Sequence, residues 1–151
     1  MSASRCLIGV GSPHGDDQLG WLIADRLSNQ DGHRFKVEKV VTPLEILDRL
    51  ENVDWLGICD ACHGTGKSGT WKRWTWPDVA IIQQRFAGSH DFGLTAVLNL
   101  AARLGRLPRT VMIWGVEVET CEPAAAMSST ALAVVDPVAN AIMDELNNDC
   151  D

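Results

Sequence analysis

No stretch of the chain approaches the roughly 18 consecutive apolar residues of a membrane-spanning helix. Basic charge is also scarce. Thirteen lysines and arginines stand against 20 aspartates and glutamates, a net charge of −7. A nucleic-acid partner is therefore not expected, because phosphate binding needs clustered Lys and Arg. The opening residues, MSASRCLIGVGSPHGDD, hold only a short apolar run before Gly, Pro and Asp. They read as a strand and a turn rather than as an export signal. Five cysteines are an odd, scattered set, and without an export signal they are expected to be reduced and the protein cytoplasmic. Repeats, linkers and low-complexity tracts are missing too. One domain over residues 1–151 is expected, fraying from about residue 147.

What is present suits a packed core, with 46% apolar and 22% charged residues. Cys6 to Val10 is a short apolar run that reads as a buried strand. Asp16 to Ser28 has helical spacing at Leu19, Leu22, Ile23 and Leu27, and two acids open it as the helix dipole favours. Phe35 to Val41 reads as a second strand. Pro43 opens a helix continued by Leu44, Leu47 and Leu50. Trp55 to Cys59 reads as a third strand and Thr70 to Trp76 as an alternating edge strand, with a loop at Gly88 to Phe92. A helix over Leu94 to Leu104 and a strand over Thr110 to Val118 follow. The last helix opens at Ser128, and Pro137 is expected to kink or break it. Alternating strands and helices predict an α/β sandwich with a mainly parallel sheet of five strands.

The segment CDACHGTGKSG, Cys59 to Gly69, contains three motif-like strings. A-x-x-x-x-G-K-S approaches a P-loop, but a P-loop opens into a helix, and here a strand-like TWKRWTW follows. C-x-x-C-H is a haem-attachment pattern, and C-x-x-C alone is a redox pattern. Cys59 instead ends a buried strand, and no second Cys or His pair completes a zinc site. Two buried thiols are the simpler reading. Gly64, Gly66 and Gly69 would let the loop turn tightly.

Ligands in open α/β sheets bind beyond the carboxyl ends of the strands. The polar residues expected there are Ser12, His14, Asp16 and Asp17 after the first strand, and Thr42 after the second. Asp60 ends the third strand, Ser89, His90 and Asp91 precede the middle helix, and Glu117 and Glu119 follow the last strand. Asp17, Asp60 and His90, from three separate loops, would offer O, O and N ligands to a divalent metal with positions left open. Ordinary alternatives stay open for each. The acids at 16 and 17 suit a helix start, Asp60 suits an Asx-turn, and His90 suits an exposed helix start. A serine hydrolase lacks support, since no G-x-S-x-G elbow is present.

Four blocks in order, IGVGSPHGDDQLGWLIADRL, DWLGICDACHGTGKSGT, GSHDFGLTAVLNLAARLG and IWGVEVE, resemble the hydrogenase maturation proteases. Those peptidases trim the C-terminal tail from the large subunit of nickel–iron hydrogenases. The resemblance implies a three-layer α/β/α sandwich around a twisted, mostly parallel five-stranded sheet. It also implies metal-binding and catalytic roles for Asp17, Asp60 and His90, the same three residues that the strand-end argument selects. Nickel would be presented by the substrate, and another divalent ion could take its place in vitro. Ser12, His14, Asp16 and Thr42 are further candidates for contact with the substrate. The implied partner is a hydrogenase large-subunit precursor, met by a monomer, with no nucleic acid and no membrane. Ser12 stands where the family usually has Asn, and VVTPLEIL replaces an Asp-Gly-Gly stretch. Two other functions compete: a non-catalytic metal- or peptide-binding relative, and a different metal-dependent amide hydrolase on the same scaffold. Trp71, Trp74 and Trp76 invite a reading as an aromatic strip for a partner, against the simpler one of packing on the sheet.

Overall fold

The computed structural model describes residues 4–30, 34–63, 66–77, 85–86, 93–119 and 126–148. Strands β1 (Arg5–Val10), β2 (Lys36–Val40), β3 (Trp55–His63), β4 (Trp71–Thr75), β5 (Arg85–Phe86) and β6 (Thr110–Glu117) share one sheet. Its order is β2-β1-β3-β6-β4, with the two-residue β5 attached to β3. The pairs β1–β2, β1–β3 and β3–β6 are parallel, and β4 runs antiparallel to β6. The five full strands and their mostly parallel pairing match the architecture that the alternating sequence pattern predicts.

The side-chain period of two divides the strand residues between two cores. On one face, Cys6, Ile8, Ile58, Ile113 and Cys62 pack with Ile46 and Leu50 and with Leu94, Val97, Leu98 and Ala101 of helix α2 (Leu94–Arg103). On the other, Leu7, Cys59, Ala61, Trp114 and Val116 pack with Leu19, Ile23 and Leu27 of helix α1 (Leu19–Ser28). Val138, Ala139 and Ile142 of helix α3 (Ser129–Asn148) join that second core. Three layers result.

Several local expectations need correction. The acids at 16 and 17 lie in a 3₁₀ turn, Gly15–Gln18, and α1 begins only at Leu19. The segment from Pro43 is also 3₁₀, Pro43–Arg49; seven residues are few for a self-sustaining α-helix. Pro137 does not break α3, which runs uninterrupted from Ser129 to Asn148. Pro137 and Ala133 are both exposed, so the carbonyl that the missing N–H would have served faces water. The tryptophans form no single strip. Trp74 is buried in the first core and Trp76 packs against it, whereas Trp71, at the other parity of β4, is 37% exposed.

The first helix is brought onto the sheet by glycines at a backbone contact. A Cβ on Gly20 would lie 2.1 Å from the Val10 carbonyl oxygen and 2.8 Å from that of Cys59. A Cβ on Gly9 would lie 2.2 Å from the Gly20 oxygen. The start of α1 therefore rests directly on the end of β1 and on the middle of β3. Gly20→Ala must push the helix off the sheet, and urea denaturation is expected to show a loss of about 1–3 kcal/mol or more. An unchanged midpoint would contradict this contact.

Candidate active site

The chain leaves β1 through α1 and returns as β2 on one side of β1, then crosses to the other side as β3. The gap beyond the ends of β1 and β3 is thus the topological switch point, where open α/β sheets bind ligands. Strand β3 outlasts β1 there. Pairing with β1 stops at Cys59, while pairing with β6 continues to Cys62 opposite Glu117. Phe86 of β5 pairs with Cys62, and because β6 holds one edge of β3 at that point, β5 takes the edge that β1 has vacated. Asp60 and Ala61 fall between the two neighbours. Asp60 is therefore inside a longer strand than its sequence suggests, yet just past the point where β1 ends its pairing.

Asp60 is 1% exposed, on the face shared by Ile58 and Cys62. Neither of its carboxylate oxygens has a hydrogen-bond partner among the described residues. Burial raises its pKa well above the ordinary carboxylate value, and the neighbouring charge of Asp17 adds to the rise. The Ala61 amide, close by but outside hydrogen-bonding geometry, works in the opposite direction and offsets only part.

Asp17 is 3% exposed in the 3₁₀ turn. The Ser12 hydroxyl donates to its Oδ2 at 2.5 Å. Its backbone is held as well: the Asp17 amide donates to the His14 carbonyl at 3.0 Å, and the Ser12 amide to the Asp17 carbonyl at 3.1 Å. Gly11 admits that close return of the chain, since a Cβ there would sit 2.7 Å from the Asp17 carbonyl oxygen.

The neighbouring Asp16 points elsewhere. It is fully buried, with Oδ1 accepting from the Ser128 amide at 2.7 Å and Oδ2 from the Ser128 hydroxyl at 2.9 Å and the Glu119 amide at 3.2 Å. His14 is exposed and precedes the turn. Thr42 is exposed and caps the second 3₁₀ segment, with the amides of Thr42 and Val41 each donating to Glu45 Oε2 at 2.8 Å. Those donors hold the Glu45 carboxyl below its ordinary pKa. His90, with Ser89 and Asp91, lies outside the described residues. Glu117 is 7% exposed at the end of β6, and the Cys62 thiol approaches its Oε2 at 3.9 Å. Among the described residues, no group of three or more His, Cys, Asp and Glu is placed to hold a metal ion.

The motif-like strings in residues 59–69 carry none of their namesake geometry. Cys59 and Cys62 are both buried, and they belong to opposite cores of the sheet. Residues three apart on a strand face opposite ways, so C-x-x-C here cannot close as it does at a helix start. Burial raises the Cys59 thiol far above its ordinary pKa and pushes Cys6 up to about 12, which makes both poor nucleophiles. Lys67 and Ser68 lead through Gly69, at φ 90°, into β4 rather than into a helix.

Fold and switch point together define an α/β protein with two buried acids, the charge of one bearing on the other. Residues 41–145 match the family model described as "Hydrogenase maturation protease". The chain belongs to that family. Solved structures agree in fold. The hydrogenase maturating endopeptidase HybD from E. coli is 24% identical, with 96% of this chain and 93% of that one covered and a TM-score of 0.78. A second endopeptidase structure from Escherichia coli is 23% identical over 96% and 93%, with a TM-score of 0.80. The [NiFe] hydrogenase maturation protease HybD from Thermococcus kodakarensis is 19% identical over 95% and 99%, with a TM-score of 0.73. No curated protein sequence gives a significant match.

The desolvation of Asp60 has a measurable consequence. Its folded-state pKa is raised, so the native protein binds the proton more tightly than the unfolded chain does. Its contribution to stability is fully present below the usual aspartate value of 3.8 and is lost as pH rises from there through the folded-state pKa. Metal-free wild-type protein should therefore lose stability over that rise relative to Asp60→Asn, by urea midpoints at stepped pH. Parallel curves for the two proteins would refute the assignment.

Proposed function

We propose that this chain removes the C-terminal extension of a nickel–iron hydrogenase large-subunit precursor, and does so after nickel has been loaded into that precursor. The observation that carries the reading is the pairing of Asp60 with Asp17 at the switch point of a family member: two acids, one with both oxygens buried and lacking a hydrogen-bond partner among the described residues. Such a carboxylate is costly to ionise alone and becomes favourable when a cation arrives. The donor set suits a hard or borderline divalent ion. Asp17, Asp60 and His90 would approach the nickel that the precursor presents, so the metal is part of the substrate rather than a resident cofactor.

A divalent ion at a scissile bond supplies polarisation of the carbonyl or of an attacking water. The chain's own contribution is placement. Ser12 orients the Asp17 carboxylate through Oδ2, and the walls of the crevice exclude water from Asp60. Asp60 keeps its proton to a higher pH than a free carboxyl would; a divalent ion held beside it would lower that pKa, and the proton would pass to solvent. Thr42 and His14 are exposed beside the crevice, where they can meet the precursor. The action is that of a monomer in the cytoplasm. No helix among the described residues is long and apolar enough to cross a membrane.

The test is processing of a nickel-loaded precursor, followed as tail release. Asp17→Ala, Asp60→Ala and His90→Ala should each slow it by on the order of 10²-fold or more while the circular dichroism spectrum is retained. Normal processing by all three variants would sink the site assignment. Wild-type protein that binds the loaded precursor without releasing a tail would favour the non-catalytic alternative.

A further inference from the structure

We propose that Asp16 is a positioning residue, a buried clamp that fixes Asp17 at the crevice by tying the 3₁₀ turn to the start of α3 and the end of β6. The proposal rests on the reading that Asp17 acts at the crevice.

Three observations carry it. First, Asp16 is wholly buried, and both its oxygens accept bonds from residues more than 100 positions away in the chain: the Ser128 amide and hydroxyl and the Glu119 amide. It has no exposed surface with which to meet a substrate. Second, the two residues it holds are themselves anchors. The Ala131 amide donates to Ser128 Oγ at 3.2 Å and the Leu132 amide to the Ser128 carbonyl at 3.1 Å, so Ser128 caps α3. Glu119 accepts from the Thr130 hydroxyl at 3.2 Å. A negative charge at the N-terminus of a 20-residue helix also suits the dipole. Third, Asp16 and Asp17 share one turn of four residues. Consecutive Cα atoms are about 3.8 Å apart across a rigid peptide plane, so a shift at one residue must displace the other.

The donors also explain why the residue is an acid. All three are N–H or O–H groups directed at two oxygens. Asn would offer one oxygen and set its NH₂ against a donor, leaving buried groups unsatisfied.

The informative variants are Ser128→Ala, which deletes one bond to Asp16 and keeps the backbone donors, Ser128→Thr, which keeps the hydroxyl, and Asp16→Asn. Two readouts are needed: steady-state tail release from nickel-loaded precursor, and calorimetric titration of metal-free protein with Ni²⁺ alone. In Ser128→Ala, kcat and Ni²⁺ affinity should each fall roughly 10-fold, the size found when a group orienting a metal ligand is lost. KM for the loaded precursor should rise along with the loss of Ni²⁺ affinity, since the nickel that Asp17 meets is part of that substrate. Ser128→Thr should restore both quantities, and Asp16→Asn should lose at least as much as Ser128→Ala. If Ser128→Ala lowers thermal stability through its lost cap yet leaves kcat and Ni²⁺ affinity at wild-type values, the clamp has no functional role and the proposal is overturned. Equal losses in Ser128→Thr overturn it too. Failure of the wild-type protein both to bind Ni²⁺ and to release a tail overturns the underlying site reading instead, and the clamp with it.

Discussion

The burial of Asp60 beside Asp17 is the constraint around which the rest of this protein is arranged. A carboxylate removed from water without a hydrogen-bond partner costs several kcal/mol when ionised, and a second acid nearby makes it worse. A fold tolerates such a pair only where the scaffold over-determines it. Here the scaffold is the sheet itself. Asp60 is fixed by pairing along β3, with β6 on one edge and β1 and then β5 on the other. Asp17 is fixed by a turn whose backbone is bonded to Ser12 and His14. The glycine contact brings the start of α1, just after that turn, onto β1 at Val10 and β3 at Cys59, the residue before Asp60. Stability is given up at one point, and the two acids stay within reach of each other's charge.

The layered fold was legible in the sequence because it depends on periodicity, which is a local property. Runs such as Cys6 to Val10 and Thr110 to Val118 need no partner to declare themselves as strands, and the observed strands lie within a residue or so of those bounds. Errors came where the deciding partner was remote. Trp55 to Cys59 was recognisable as a strand, but its extension to His63 depends on β6 and β5, which supply edges for residues that look like a polar loop. Pro137 looked like a breaker because local rules charge it for a lost bond. Which side of α3 meets water is settled only by packing, and it leaves that bond on the outside.

The same division applies to the crevice. Asp60 could be singled out because strand ends face ligands in this class of sheet. The C-x-x-C around it attracted readings that its parity on β3 excludes, since Cys59 and Cys62 belong to different cores. A motif written as a string carries no information about whether its letters lie on a helix, where residues three apart are neighbours, or on a strand, where they are back to back.

Asp16 and Asp17 are the hardest case for sequence reading, and the reason is geometric. The two are identical in type and adjacent in the chain, and either one could cap a helix or face a ligand. Around a 3₁₀ turn, successive side chains diverge by about a third of a revolution, so neighbours must serve different surroundings. One of these acids meets Ser128 and Glu119, and the other meets Ser12 and the field of Asp60. Nothing local marks the partners at 119 and 128, because a bond spanning 112 residues leaves no trace in spacing or composition. Ser128 does carry one faint signal, as a serine at the start of a long apolar-periodic segment, which marks it as a cap. That a cap should also receive a buried acid from the opposite end of the chain follows from the fold: the ends of β1 and β6 and the start of α3 converge on the same side of the sheet. Two acids in sequence thereby divide into one bonded to the start of α3 and the end of β6 and one turned toward Ser12 and the charge of Asp60.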